Sequence, residues 1–341
     1  METLTAVPSH SVHAGRHPGS AGRGRHAGNP SRAGSSDPLQ QTRGVTFSPL
    51  DCRTILNRCD SPQMPFTWTI NPYRGCELAC SYCYARYTHE FLGNEASSFE
   101  TDIYVKQQVA AALRRDLARR VEPGEAIAIG TATDPYQPAE RHYRATRSLL
   151  EVFAGQRGHV LSITTKSCLI RRDRELLAEV GRNNRLVVNF SLTSLDTALA
   201  RRLEPRAPTP ARRLQTMRLL AEAGIDVGLF LMPILPGITD DPGTIDRLVA
   251  AGRHAGAGFV ASNVLFLRQP SRAIFLDYVR RDHPDKLAAY QRAFSRNAYL
   301  SSSYRNQISA RVRDAARRHA LPAGRPAAAR ERGPAQRSLD L

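Results

Sequence analysis

The chain has 341 residues, 41% of them hydrophobic, which places it in the soluble globular class with enough apolar surface for one large domain or two ordinary ones. Its longest apolar run, residues 227–238, is interrupted by Pro233 and Pro236, and the N-terminus M-E-T-L-T-A-V-P-S-H lacks a basic region followed by an apolar core; no membrane span or export signal is expected, and a cytoplasmic protein is. The formal charge is +17: residues 1–44 hold five Arg against two acids, residues 311–341 hold eight against three, and the stretch between carries +9, a surplus that favours contact with phosphates and makes nucleic acid an expected partner.

Residues 1–44 are rich in Gly, Ser, Pro, His and Arg and show no apolar periodicity, so they read as a disordered basic arm in which His10, His13, His17 and His26 are solvated. In the next segment Cys52 and Cys59 stand in irregular surroundings broken by Pro62 and Pro65. Two cysteines are too few for a cluster, and both are expected to be buried as small apolar residues. Residues 66–70 form a first short strand. Directly after it the stretch T-I-N-P-Y-R-G-C-E-L-A-C-S-Y-C-Y places Cys76, Cys80 and Cys83 in a C-x3-C-x2-C array.

Beyond this loop Val105, Val109, Leu113 and Leu117 recur every four residues, as on one buried helix face. E-A-I-A-I-G-T then reads as a buried strand, followed by a helix over 139–153, a strand over 159–165, a helix over 172–180 and a strand over 185–192. A helix over 210–223 has Thr209 as N-cap, Pro210 in its first turn and Gly224 just past its end. A strand over 225–232, a helix opened by Asp241 and Pro242, and a strand over 259–266 complete the series. Six strands separated by helices imply right-handed parallel crossovers and an α/β fold, a six-stranded partial (β/α) barrel over residues 45–270. Functional residues of such barrels gather at the carboxyl ends of the strands, where the cysteine loop lies. Residues 271–310 form a helical extension, with helices over 271–281 and 284–298, and residues 311–341 a second loose basic tail, although 308–319 carries a helical pattern.

Three thiolates on one loop fall one short of the four ligands that a closed zinc site or a cubane iron-sulfur cluster takes from protein. With an iron-sulfur cluster, one iron stays open to a small chelating ligand; with zinc, Cys76, Cys80, Cys83 and His89 would make a Cys3His site. The polar residues at the strand ends are Thr131, Thr133, Asp134, Gln137 and Glu140 after the second strand, T-T-K-S-C after the third and S-L-T-S-L-D after the fourth, then Glu204 and Arg206 in L-E-P-R-A-P.

The cysteine spacing and its setting resemble those of the radical S-adenosylmethionine (SAM) enzymes. The resemblance implies that Cys76, Cys80 and Cys83 hold a 4Fe-4S cluster whose fourth iron chelates the methionyl end of SAM. An electron from a donor such as flavodoxin or ferredoxin then releases methionine and a 5'-deoxyadenosyl radical, which abstracts hydrogen from the substrate. It also implies that Tyr82 fits the pattern, that Asp134, with Thr131 and Thr133, lies where the methionyl amine binds, and that hydroxyls such as Ser191 and Thr193 can meet ribose. Glu204 and Arg206 offer a further polar pair, the Arg suited to a carboxylate, and residues 232–240 an apolar wall for adenine. N-P-Y-R-G-C, T-D-P-Y-Q-P and E-P-R-A-P-T-P together resemble the spore photoproduct lyase-like branch over roughly residues 65–270. Spore photoproduct lyase returns a hydrogen atom from a cysteine near the end of the second strand, and here that neighbourhood is G-T-A-T-D without one; Cys168 stands at the next strand end. The other class of function is a non-catalytic iron-sulfur or zinc protein that binds nucleic acid through its basic tails.

Overall fold

In the computed structural model, which describes residues 40–42, 44–61 and 64–324, the apolar runs pair side by side into two sheets. The chain enters through β1 (Gln40–Thr42), β2 (Val45–Leu50) and β3 (Leu56–Arg58), followed by β4 (Trp68–Ile70), β5 (Tyr73–Arg74) and β6 (Asp102–Lys106). The alternating part then runs α1 (Val109–Arg120), β7 (Ala126–Ile129), α2 (Glu140–Tyr143), α3 (Ala145–Ala154), β8 (Val160–Thr165), α4 (Arg174–Asn183), β9 (Arg185–Ser191), α5 (Thr197–Leu203), α6 (Pro210–Glu222), β10 (Asp226–Ile234), α7 (Pro242–His254) and β11 (Phe259–Val264). Helices α8 (Ser271–Asp282), α9 (Leu287–Ala293) and α10 (Ser302–Arg318) finish it.

The larger sheet has the order β3-β4-β7-β8-β9-β10-β11. From β4 to β11 all its neighbours are parallel and in chain order, and β3 is added antiparallel at the edge. These are the six strands expected from sequence, in an open barrel, since β4 and β11 lie at opposite sides of the row. Register puts Ile70, Ile129, Ile163, Val188 and Val227 on one continuous rung, all buried. Such apolar rows are what a parallel sheet covered on both faces requires.

The smaller sheet, β1-β2-β6-β5, has no counterpart in the sequence reading, because its strands are only two to six residues long and pair across distant parts of the chain. It takes Val105 out of the expected helix and into β6. Helix α1 starts only at Val109, after Gln108 in a left-handed conformation. Its buried face includes Asp116, whose carboxylate accepts from Thr54 Oγ1 at 2.7 Å, Ile55 N at 2.7 Å and Leu56 N at 3.0 Å. The helix expected over 139–153 is two, broken at Arg144 with φ 51°. Helix α4 is preceded by a 3₁₀ turn, Cys168–Asp173, and α9 ends at Ala293, short of the expected 298. Helix α5, unread in the sequence, is started by Asp196, whose side chain accepts from Ala198 N and Leu199 N.

Cys52 and Cys59 are half-buried rather than buried, while Cys168 is buried. Of the expected basic arm, residues 1–39 and 43 lie outside the described residues. The expected boundary at 310/311 falls inside α10, whose Ile308, Val312, Ala315 and Ala316 join the main core; only residues 325–341 of the expected tail lie outside the described residues. Among the described residues no helix is long and apolar enough to cross a membrane.

Candidate cofactor site at the strand ends

The cysteine loop leaves the carboxyl end of β4 and is tied down at once by the smaller sheet. Gly75 has φ 84°, and a side chain there would meet Asp102 O at 2.7 Å and Phe99 O at 2.9 Å; only glycine allows this approach. Cys76 N donates to Phe99 O at 2.9 Å, Ser81 N to Leu203 O at 2.9 Å and Cys83 N to Cys80 O at 3.1 Å. The next strand end grips the same loop. Thr133 Oγ1 donates to Gly75 O at 2.6 Å, Gln137 Nε2 donates to Gly75 O at 3.2 Å, and Gln137 Oε1 accepts from Glu77 N at 2.9 Å. Nearby, Asn71 Nδ2 donates to Thr131 Oγ1 at 3.1 Å, and the Tyr84 hydroxyl donates to the Thr131 carbonyl.

Cys76 and Cys80 are buried, Cys83 is half-buried, and all three are free thiols. Burial pushes each of them up, that of Cys80 to about 12. Asp134 and the other two thiols raise Cys76 further, and Cys83 acts on Cys80. The three sulfurs therefore share one electrostatic environment that disfavours thiolates until a cation takes them. Among the described residues no three His, Cys, Asp or Glu side chains close on a single metal-ion position. His89, the fourth ligand of the zinc alternative, faces β6 instead: its Nε2 lies 3.0 Å from Asp102 O and its ring packs edge-on against Phe99 at 5.1 Å. A cubane asks something different of the three sulfurs, one for each of three irons.

In the cysteine loop and the turn after it, three buried polar atoms have no hydrogen-bond partner among the described residues, Ser81 Oγ, Arg86 Nε and His89 Nδ1. Arg86 is anchored by Glu100, donates to Cys80 O at 3.3 Å, and draws the Cys83 thiol down against burial. Three thiols beside a buried cation with a spare N–H fit an anionic iron-sulfur cluster, whose sulfides accept hydrogen bonds.

Beside the thiols lies a buried polar network. The Tyr82 hydroxyl donates to Glu204 and lies 3.1 Å from Thr193 Oγ1, while Glu204 is paired with Arg213. Arg213 also donates to Pro208 O at 2.8 Å and Ser191 O at 3.1 Å. Burial opposes ionisation of Glu204, but Arg213 and Lys166 outweigh it and hold its carboxyl below the usual range. Arg206 is elsewhere: it is exposed and donates to Glu100 O at 3.3 Å. The arginine that completes this network is Arg213, on α6.

Asp134 is buried and already takes three donors, Tyr136 N at 2.9 Å, Thr165 Oγ1 at 2.7 Å and Lys166 N at 2.7 Å. One lone pair on Oδ2 is left. Lys166 extends its ammonium to 5.6 Å above the Tyr82 ring. Burial works against that charge, yet Cys80, Glu204 and Asp134 raise its pKa, and Nζ has neither hydrogen bond nor ion pair among the described residues. Glu140, by contrast, is consumed by the fold: it holds Tyr73, Thr146 N at 2.8 Å and Arg172 at 2.9 Å.

The structure thus joins Tyr82, Thr193, Glu204 and the Ser191 carbonyl in one network beside the cysteines, while Thr133 grips the loop at Gly75 and Asp134 lies near Cys76. Sequence reading left Lys166, Arg86 and Arg213 unassigned. Lys166 had a signal, as one of three lysines in the chain and the residue directly after a strand end. Arg213 had none, being one of many arginines.

Comparison with known proteins follows the same line. An uncharacterized protein of Mycobacterium tuberculosis is 39% identical over 274 residues, 80% of each chain, and one of Methanocaldococcus jannaschii is 28% identical over 173 residues, 51% of this chain and 62% of its own. Among solved structures, a spore photoproduct lyase variant superposes with a TM-score of 0.65 at 16% identity, covering 86% of this chain and 87% of its own. Another, solved with bound AdoMet and dinucleoside spore photoproduct, gives 0.58 at 14% identity, covering 81% and 80%. At these identities the likeness is one of fold. Residues 70–249 match the Radical SAM superfamily, more than half of the chain, and together with the mycobacterial relative this shows that the protein belongs to that superfamily of SAM-dependent radical enzymes.

Proposed function

We propose that Cys76, Cys80 and Cys83 bind a 4Fe-4S cluster and that the enzyme uses it to cleave SAM reductively and to abstract hydrogen from a substrate, with nucleic acid the class its charge favours. The observation that carries this reading is the placement of the Lys166 ammonium, without a partner among the described residues, 5.6 Å above the Tyr82 ring between Cys80 and Cys83. When bound, cluster and SAM supply an electron and a primary carbon radical, drawing on an external donor of the flavodoxin or ferredoxin type.

The chain's own residues provide the rest. Lys166 offers a charge-assisted bond to the methionyl carboxylate, and Asp134 its remaining Oδ2 lone pair to the methionyl amine. Both are set by one turn, since Lys166 N donates to Asp134 at 2.7 Å. The Tyr82–Glu204–Arg213 network fixes the end of β9 and the last cysteine of the loop relative to each other. Arg86 supplies its spare N–H to the cluster side. Below, Leu78, Phe99, Leu203, Leu265 and Phe275 pack into a second core that excludes water.

The test is anaerobic reconstitution with iron and sulfide, followed by metal analysis and a SAM cleavage assay. Wild type is expected to bind about four irons per chain and to form 5'-deoxyadenosine, and replacing the three cysteines by Ala to abolish both, whereas Cys52→Ala with Cys59→Ala leaves them. A full iron complement in the triple variant sinks the ligand assignment. Cluster loading without SAM cleavage would leave the non-catalytic reading.

A further inference from the structure

The turn that carries Lys166 toward the thiols also walls a second cavity. Ser167 and Cys168, at the start of the 3₁₀ turn Cys168–Asp173, line a pocket of about 350 Å³ together with Arg141, Arg171, Arg172 and Arg212. That volume is at the small end of the range for ligand sites. Four guanidiniums converge on it from α2, the 3₁₀ turn and α6, and no acidic side chain lines it.

Arg172 is already committed. It donates to the Glu140 carbonyl at 2.9 Å, to Glu140 Oε1 at 2.9 Å and to both oxygens of Asp173 at 3.0 and 2.8 Å. The side chains of Arg141, Arg171 and Arg212 have no hydrogen bond or ion pair to any described residue, and all three are exposed. Ser167 Oγ accepts from Leu169 N at 3.1 Å, which leaves its O–H free to donate. Three unneutralised cations and a free hydroxyl around one concavity form a donor set for a multiply charged oxyanion, and arginine is the side chain best shaped to grip one.

We propose that this pocket is a phosphate-binding subsite that holds a phosphate of the substrate next to the radical site. The binding stands independently; its assignment to the substrate rests on the function proposed above. The phosphate can come from a nucleic-acid backbone or from a small phosphate ester, and both present the same chemistry to Arg141, Arg171 and Arg212.

The test uses the full chain, reconstituted anaerobically but without SAM or reductant, so that it reports on binding and not on radical chemistry. Pyrophosphate and a short fluorescein-labelled single-stranded oligonucleotide are titrated into wild type, into Arg141→Gln/Arg171→Gln/Arg212→Gln, and into a charge-matched control, Arg114→Gln/Arg182→Gln/Arg253→Gln, whose residues are exposed on other helices. Thermal melts verify that both variants are folded. The pocket variant is expected to lose affinity about tenfold or more, the sum of three modest charge-assisted contacts, while the control stays within about twofold of wild type. Loss for pyrophosphate alone assigns the subsite to small phosphate esters, and loss for the oligonucleotide, with or without pyrophosphate, to a phosphodiester backbone. Equal losses in pocket variant and control, or no binding of either probe to wild type, overturn the proposal. A separate assay, label transfer from substrate into 5'-deoxyadenosine, fails or succeeds with the radical reading and leaves the binding result untouched.

Discussion

Lys166 and Arg213 show at the scale of single residues how position, and not residue type, decides role. Lys166 is a half-buried cation that no carboxylate among the described residues neutralises by contact, so its replacement should be felt by a ligand more than by the fold. Lys166→Met is expected to weaken SAM binding about tenfold or more, as loss of a charge-assisted bond does, with iron content unchanged; equilibrium dialysis against labelled SAM measures it, and unaltered affinity would remove Lys166 from the site. Arg213 is the reverse case. It is paired with Glu204 inside the protein, both nearly inaccessible to solvent, and Arg213→Leu strands a buried carboxylate at a cost of about 3–5 kcal/mol. Urea unfolding should register that loss, and a variant as stable as wild type would contradict the pairing. The sequence pointed to Arg206 because it stands two residues after Glu204, a proximity along the chain that the turn into α6 turns outward. Nine residues of separation, bridged by a helix start, brought the true partner back.

At the scale of elements, the six parallel strands were legible because a sheet covered on both faces must be written as near-continuous apolar runs. The smaller sheet was not, since its strands are two to six residues long and gain their burial from neighbours distant in sequence. Helix α10 was half-hidden for another reason: its arginines mask a stripe, Ile308, Val312, Ala315 and Ala316, that reaches the main core. Ending the chain at residue 301 should therefore cost several kcal/mol, Ile308 and Val312 each contributing about 1.5–3 kcal/mol, and abolish cooperative unfolding. Helix α10 is also tied to α7 by Asp246, which accepts from Arg318 and His319 at 2.9 and 3.1 Å. Its hydrogen bond to Arg318 holds the Asp246 carboxyl below the usual range. A depressed pKa stabilises the fold above the unfolded value and is lost as pH falls through the folded one. Asp246→Asn should accordingly cost no more than about 1 kcal/mol at neutral pH; the cost starts to shrink below the ordinary carboxylate value of about 4 and is gone only once pH has fallen below the depressed folded-state value. Urea titrations at both pH values check the sign; a difference that grows on acidification would reverse it.

For the whole molecule, the position of the excess charge matters more than its sum. With α10 part of the folded body, residues 1–39 and 325–341 account for only four of the seventeen net positive charges, each holding four Arg against two acids. The other thirteen belong to residues 40–324. The basic tails read from sequence thus carry less of any phosphate affinity than their composition suggests. Deleting residues 1–39 and 325–341 is expected to lower the salt dependence of oligonucleotide binding by about a quarter, measured by anisotropy across a range of ionic strength, without stopping SAM cleavage. A collapse of the salt dependence would return the contact to the tails. The cysteine loop shows the same dependence on the body at closer range. It is held by Phe99 O, Leu203 O, Thr133, Gln137 and Ser271, the last donating to Cys83 O at 2.7 Å, and none of these anchors is one of the three proposed iron ligands. A zinc finger melts when its metal is stripped; a loop moulded by its neighbours has no reason to. Chelated protein should keep its far-ultraviolet dichroism and a cooperative melt and should regain full absorbance when iron and sulfide return. With the proposed cluster in that loop, losing the metal would leave an empty but formed mould that the same polypeptide can have refilled.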